Sequence, residues 1–207
     1  MASLNDVLAG PVLQVAPRLL GARLTHDGVT VRLTEVEAYA GPDDPGSHAY
    51  RSRTARNAVM FGPPGRLYTY FSYGMHVCAN VVCGPEGTAS AVLLRAGEVV
   101  EGLPLARERR PAAARNDRDL ARGPARLCQA LGIGLEHGGG DLHRGPVTLV
   151  LGEPASGPAG GPASGPASGV ETGPRVGLRG APERPWRFWI AGEPSVSVYR
   201  PAAPRRR

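Results

Sequence analysis

The sequence predicts a single α+β domain, and three observations lead to this prediction. A length of 207 residues suits one domain of ordinary size. Strand-like segments with alternating side chains come in pairs joined by short turns, whereas segments with helical spacing lie at the start and in the middle of the chain. The apolar fraction of 42% is enough to build a core, which argues against wholesale disorder.

The first 40 residues predict two short helices followed by a hairpin. Apolar side chains recur at helical spacing over residues 4–21, and Gly10-Pro11 divides this stretch in two. We expect Asn5 to be the N-cap of the first helix. Residues 23–25 and 29–39 then predict two strands joined at Asp27-Gly28, a dipeptide typical of tight hairpin turns.

Two carboxylates lie on one face of the second strand. Glu35, Glu37 and Tyr39 share that face because side chains alternate along a strand. The two carboxylates have Cα atoms about 6–7 Å apart, which resembles an acid/base pair that leaves room for a water. A solvated strand face is the alternative, and spacing alone favours it. Tyr39 weakens that alternative, because it adds an aromatic wall beside the acids.

The rest of the chain alternates between loops, strands and helices. In order, we expect an irregular loop at 40–65, strands at 66–71, 76–82 and 89–96, helices at 99–110 and 123–131, and late strands at 146–152 and 186–198. Residues 155–169 form a degenerate Gly-Pro-Ala-Ser repeat with no large apolar side chain, which predicts a disordered surface loop. We therefore expect one domain over residues 1–207, with that loop and an Arg-rich tail at 201–207.

Aromatic residues are concentrated in the predicted strand at 66–71 and in the turn that follows it. The chain is only 5% aromatic, yet Tyr68, Tyr70, Phe71 and Tyr73 fall within six positions. Hairpin packing explains Phe71, but it leaves Tyr73 without a role beside Gly74 at the tip. A large ring at a tip is costly unless it meets a partner. In a basic protein, one candidate partner is a base stack.

Three further polar side chains are candidates for binding. His48 lies in the Pro/Gly-rich loop, where a surface histidine is the ordinary interpretation. Asn80 interrupts an apolar strand and is either hydrogen-bonded in the core or reads a ligand. Arg95 ends an apolar strand and needs a carboxylate or a phosphate as its partner.

The charge balance indicates a polyanionic partner. The formal net charge is +6, and all 24 basic residues are arginine. The absence of lysine excludes a lysine Schiff base and a P-loop lysine. The arginines between residues 107 and 126 are interpreted either as a solvated surface or as a patch that follows phosphates.

The cysteines and the apolar segments bear on disulfide bonding, metal binding and location in the cell. The three cysteines form no CxxC pair, and no HExxH motif is present, so we expect neither a disulfide framework nor a metal site. We expect a cytoplasmic protein, because the sequence shows no signal peptide and no apolar run long enough for a bilayer.

Together these segments resemble the alkyladenine (3-methyladenine) DNA glycosylase family. The resemblance runs from about residue 5 to residue 199 and is most specific over Leu33–His48 and over residues 54–75. It implies a single α+β domain on a curved antiparallel sheet with surrounding helices. Ala55, where the family commonly has proline, and the Gly-Pro-Ala-Ser tract depart from the pattern.

The resemblance also implies a role for each candidate residue. Glu37 matches the general base that activates water, and Arg95 matches the arginine that contacts phosphate and water. Tyr39, His48 and Tyr70 match the rings around a flipped base, and Asn80 matches the residue that disfavours guanine. Tyr73, with Met75 beside it, matches the residues that enter the base stack. Glu35 is then interpreted as a structural or arginine-pairing residue.

The expected function is monofunctional excision of alkylated or deaminated purines, the class of 3-methyladenine, 7-methylguanine, hypoxanthine and ethenoadenine, in base excision repair. We expect no cofactor and no metal. The expected partner is double-stranded DNA containing damaged purines, bound by a monomer without membrane association. Two alternatives are a non-catalytic minor-groove DNA-binding protein and a glycoside hydrolase that uses Glu35 with Glu37.

One geometric prediction follows for the hairpin after residue 66. If Tyr70 and Asn80 line one pocket, they must lie on the same face of the sheet. A two-residue turn would place them on opposite faces, whereas a three-residue connection pairs residue 70 with 78 and residue 68 with 80. We therefore predict an odd-length connection or a bulge.

Overall fold

The helices and strands follow one another much as the pattern predicts. The computed structural model describes residues 3–72, 74–113, 115–152 and 169–203. Within them the helices are α1 (Leu4–Leu8), α2 (Val12–Arg18), α3 (Leu103–Arg109) and α4 (Pro124–Leu131). The strands are β1 (Arg23–His26), β2 (Val29–Tyr39), β3 (Leu67–Ser72), β4 (His76–Cys83), β5 (Ser90–Glu101), β6 (Thr148–Val150), β7 (Val170–Gly173) and β8 (Arg187–Ile190).

All eight strands belong to one antiparallel sheet. The order is β3-β4-β5-β2-β1-β6, and β8 joins the sheet through β2 and β7. Over the described residues this path is open, with β3 at one end and β6 at the other. The predicted fold class, α+β with an antiparallel sheet in a single domain, is confirmed.

The long strand β2 organises the sheet. It pairs with β5 along most of its length, with β1 through residues 29–32 and with β8 through residues 35–37. Its register against β5 shifts around Glu35, and such irregularities bend and twist a strand. The shifts occur just before Glu37, so the bend sets the direction in which the C-terminal end of β2 presents its side chains.

The length and conformation of the turns set the register of the β1–β2 and β3–β4 hairpins. Asp27 and Gly28 have φ values of 42° and 75°, as a tight hairpin turn with two left-handed residues requires. In the second hairpin, Tyr68 pairs with Asn80 and Tyr70 with Cys78. Three residues therefore connect β3 to β4, and the predicted odd-length connection is confirmed.

Helix α4 packs against the sheet and covers its core. It begins after Gly123 with Pro124, which suits the first turn because proline lacks an amide proton. It buries Leu127 and Leu131 against β4 and β5, and it ends at Gly132, whose φ of 72° allows the left-handed cap.

Three local predictions are wrong. The N-cap of α1 is Ser3, not Asn5, because Ser3 and Asp6 form a reciprocal capping box. The helix expected over 99–110 starts only at Leu103, because β5 continues to Glu101 along β2. The last strand ends at Ile190, although the pattern extended it to 198.

One strand was missed by the sequence pattern, and one predicted loop falls largely outside the described residues. Strand β7 was not predicted; it forms by pairing with β8, which tertiary structure alone brings near. The loop expected at 155–169 lies outside the described residues, apart from Gly169. In the described part of the chain, no helix is long and apolar enough to cross a membrane.

Candidate active site

A cavity of about 570 Å³ opens where β2 ends beside the β3–β4 hairpin. Its lining comes from six parts of the chain: Glu37 and Tyr39 from β2; Gly46, His48, Arg56 and Met60 from the following loop; Tyr68, Tyr70, Phe71, Ser72, Gly74, Cys78 and Asn80 from the hairpin; Leu93 and Arg95 from β5; Pro124 from α4; and Val176, Gly177 and Leu178 after β7. The volume lies within the usual range for small-molecule sites.

Glu37 is the buried carboxylate of this cavity. Its exposed fraction is 0%, yet each oxygen has a donor. Tyr39 donates its hydroxyl proton to Oε2 at 2.8 Å, and the Val176 amide donates to Oε1 at 2.7 Å. Arg95 Nη1 lies 3.4 Å from Oε1. A carboxylate has about four acceptor positions, so capacity remains for a further donor such as water.

Arg95 stands between the two carboxylates of β2. Its Nε donates to Glu35 Oε1 at 2.9 Å, and its Nη2 donates to Ser197 Oγ at 3.2 Å. Arg187 Nε also donates to Glu35 Oε1, at 2.6 Å, so two arginines share that carboxylate. These bonds confirm that Glu35 pairs with arginine. Because Glu35 does not line the cavity, the geometry does not support a paired acid and base.

Aromatic rings form one wall of the cavity. His48 meets Tyr70 edge to face at 4.5 Å between centroids, and a 3.1 Å hydrogen bond joins His48 Nδ1 to the Tyr68 hydroxyl. Burial, assisted by the Arg56 charge, lowers the pKa of His48 below its usual 6.5. The ring is therefore neutral at neutral pH.

The tyrosines of this wall stay protonated. Burial raises the pKa of Tyr70, and burial together with the neighbouring Glu37 charge raises the pKa of Tyr39 well above 10.0. The guanidinium of Arg56 lies 5.6 Å from the Tyr70 ring centroid, and that of Arg175 lies 4.6 Å from the Tyr39 centroid. The wall therefore combines neutral rings with two neighbouring cations, of which Arg56 also lines the cavity.

Asn80 lies on the same wall as Tyr70. It is 5% exposed, and its side-chain amide donates to the Tyr68 carbonyl at 3.0 Å. This bond fixes the orientation of the amide at the edge of the cavity. Asn80 is thus hydrogen-bonded in the core and lines the cavity; its reading of a ligand stays a prediction.

The hairpin tip presents apolar side chains. Met75 is 72% exposed and Phe71 is 48% exposed. Phe71, expected in the core, instead lines the mouth of the cavity. Tyr73 lies outside the described residues, so its expected role in the base stack stays a prediction.

The cavity brings together six of the residues singled out from the sequence: Glu37, Tyr39, His48, Tyr70, Asn80 and Arg95. It also contains residues that sequence reasoning missed. Tyr68 had a signal, since it shares a strand face with Tyr70. Val176 had none, because it contributes a main-chain amide that any residue type carries.

The basic run between residues 107 and 126 is partly structural. Four of its arginines bond to acidic side chains or main-chain carbonyls: Arg107 to Asp117, Arg109 to Asp27, Arg110 to Leu120, and Arg122 to Asp119 and Val196. These bonds fasten α3 and the segment that follows it to their surroundings. Contact between this run and DNA stays a prediction. Among the described residues, no cluster of three or more His, Cys, Asp or Glu is arranged to hold a metal.

Comparison with known proteins gives a consistent result. A family model described as Methylpurine-DNA glycosylase (MPG) matches residues 6–194. A relative from Streptomyces avermitilis, described as "Putative 3-methyladenine DNA glycosylase", is 56% identical over 98% of this chain and 94% of its own length. Relatives with the same description from Leifsonia xyli and Mycobacterium leprae are 55% and 51% identical, over 95% and 98% of this chain and 92% of their own length in both cases.

Proposed function

The chain belongs to the methylpurine-DNA glycosylase family, and from this premise we propose that it excises alkylated and deaminated purines by flipping them out of duplex DNA and directing a Glu37-activated water at the sugar. Family membership makes it a DNA N-glycosylase that acts on methylated purines in DNA repair. The observation that carries the finer proposal is a single buried carboxylate, Glu37, inside an aromatic cavity.

The reaction needs one base and one leaving group. The water oxygen attacks C1′ of the deoxyribose while the bond from C1′ to the purine nitrogen breaks, and the purine leaves with that electron pair. Glu37 accepts the proton of the water. The products are a free purine and an abasic site. An alkylated purine that carries a positive charge leaves as a neutral base, so it needs no metal to assist it. A neutral lesion such as hypoxanthine leaves as an anion, which the proton released from the water then neutralises.

The hydrogen bonds of Glu37 support this role. Donors from Tyr39 and Val176 hold both oxygens in place, so the carboxylate is oriented before a substrate arrives. Arg95 lies beside it, where it is able to orient the same water. Since Glu35 is occupied by two arginines, Glu37 acts without a second carboxylate.

The aromatic wall suits a flipped, damaged purine. Tyr39, His48 and Tyr70 offer ring faces that attract a cationic base, and a neutral His48 does not repel it. Flipping costs a few kcal/mol, and damage reduces this cost. We assign Asn80 to crowding of the purine 2-position, which disfavours normal guanine, and Tyr73 and Met75 to the gap in the stack.

Strand nicking tests the proposal. Duplexes that carry one hypoxanthine, ethenoadenine or 7-methylguanine are incubated with the protein and then treated with alkali. The wild type should produce alkali-dependent nicks at the lesion. The variant Glu37→Gln should lose about 10²–10⁴-fold in single-turnover rate, the usual contribution of a general base, while it still binds the lesion duplex. An unchanged rate in this variant would remove the assignment of Glu37.

A further inference from the structure

Arg175 is a completely buried arginine that the proposed reaction does not use. It is 1% exposed and lies two residues after β7. Its Nη2 donates to Asp44 Oδ1 at 2.7 Å, its Nη1 donates to Asp44 Oδ2, and Nη1 also reaches the Ala38 carbonyl at 2.9 Å. Asp44 is 0% exposed. A bidentate pair of this kind fixes direction as well as distance.

The pair connects three parts of the cavity. Ala38 belongs to β2, Asp44 belongs to the loop that carries His48, and Arg175 begins the segment that carries Val176. Packing between loop and segment is tight: a Cβ on Gly46 would lie 2.9 Å from Arg175 Nη2 and 2.5 Å from the Leu178 side chain. The loop and the segment therefore cannot shift independently of each other.

Both donors to Glu37 depend on this arginine. The Val176 amide, which donates to Oε1, is the next peptide unit in the chain. The ring of Tyr39, whose hydroxyl donates to Oε2, lies under the guanidinium at 4.6 Å from its centroid. A displacement of Arg175 would thus move one donor through the chain and the other through the ring.

We propose that Arg175, held by Asp44, is a positioning residue for the proposed reaction: it holds the Val176 amide and the Tyr39 hydroxyl against Glu37 and so sets the orientation of the general base. This inference rests on the proposed function of Glu37. It assigns no contact between Arg175 and the substrate.

Removal of one member of a buried pair leaves an uncompensated charge and is strongly destabilising. The test therefore uses the double variant Arg175→Met with Asp44→Asn, which carries neither charge, and the single variant Arg175→Lys, which keeps the charge but loses the planar fork. Single-turnover rates on a hypoxanthine duplex are measured over a range of protein concentrations, and each preparation is corrected for its active fraction from the reaction amplitude.

We expect the double variant to lose about 10²-fold in the maximal rate, the effect of a small misplacement of a catalytic group, with a much smaller change in half-saturating concentration. Arg175→Lys should recover part of the rate. The matched control is Arg32→Met, which removes an arginine bonded to Glu98 and Glu193 away from the cavity; its rate should equal that of the wild type.

The outcomes distinguish a failure of the role assigned to Arg175 from a failure of the proposed function. If the active fraction falls while the corrected rate stays at the wild-type value in both Arg175 variants, the residue is structural only and the inference is overturned. If the double variant does not fold, the corrected rate of Arg175→Lys decides: a wild-type rate overturns the inference, and a reduced rate at unchanged half-saturation supports it. Full activity of Glu37→Gln would instead overturn the proposed function.

Discussion

His48 carries the imidazole of the cavity wall, and under the proposed function its protonation state influences which lesions bind. Burial and the charge of Arg56 lower the pKa of His48, so the folded protein keeps the ring neutral at pH values where an exposed histidine already binds a proton. Protonation then occurs only as the pH falls further below 6.5. The charged ring would lie 4.5 Å from Tyr70, against the position proposed for the base.

We predict that acid selectively weakens the binding of cationic lesions. The Kd of Glu37→Gln for a 7-methylguanine duplex should rise below about pH 6.5, relative to its Kd for a neutral hypoxanthine duplex, because the protonated ring repels a cationic base. Fluorescence anisotropy between pH 8 and pH 5 measures both constants. In the control that adds His48→Phe the two lesions should respond alike; a persistent difference there would assign the effect to another group.

The sequence predicted the side chains of the site better than their supports. Alternation placed Glu37 and Tyr39 on one face, and the hairpin count placed Tyr70 with Asn80. The amide of Val176 has no side-chain signature, and the pair of Arg175 with Asp44 joins residues 131 positions apart. Contacts between residues so far apart in sequence are set by the tertiary structure, and no local sequence pattern predicts them.

At the scale of elements, the length of the β3–β4 connection decides which side chains face the cavity. Three residues join the strands, so Tyr70 and Asn80 share a face. A shift of one residue would move every following side chain to the other face. Gly74 in this connection adopts the left-handed region, with φ of 69°.

We predict that deletion of Gly74 abolishes excision of hypoxanthine, because a two-residue connection separates Tyr70 from Asn80. The matched variant Gly74→Ala keeps the length and adds only backbone strain of about 1 kcal/mol, so excision should remain measurable. Single-turnover nicking and thermal unfolding of both variants provide the comparison. Normal excision by the deletion variant would mean that the shared face is not needed.

The elements that the pattern missed depend on tertiary pairing. Residues 99–101 had helical character by spacing but continue β5, because β2 offers Val31 and Thr30 as partners. Strand β7 exists through its pairing with β8. In both cases the neighbouring strand determines the conformation, and propensity alone gives too weak a preference to compete.

At the scale of the whole molecule, the formal net charge is +6, and every basic residue is an arginine. We predict that non-specific duplex affinity falls steeply with salt, with a log–log slope of about −0.9 for each phosphate contacted. Replacement of the exposed Arg118 by glutamine should reduce the magnitude of the slope by about 0.9 if the run at 107–126 follows the backbone. Titrations at several salt concentrations, with Arg32→Gln as the control, measure this. Equal slopes in wild type and Arg118→Gln would direct the search for the DNA contact elsewhere.

The absence of lysine leads to a prediction about the product. Bifunctional glycosylases cleave the strand through an amine that forms a Schiff base with the opened sugar, and none of the 207 residues has a lysine side chain. We predict an intact abasic site and no covalent adduct when borohydride is present during turnover. A glycosylase with a catalytic lysine is the positive control. A trapped adduct, or a nick without alkali, would contradict the mechanism built on Glu37.

The buried pair of Arg175 and Asp44 has a consequence for how this protein tolerates genetic change. The repetitive Gly-Pro-Ala-Ser tract at 155–169 lies between Asp44 and Arg175 in the chain. The pairing of β7 with β8 and the bonds of Arg175 to Asp44 fix the chain after residue 169. We therefore expect the gain or loss of one Gly-Pro-Ala-Ser unit to leave the Val176 amide and the Tyr39 hydroxyl in place against Glu37.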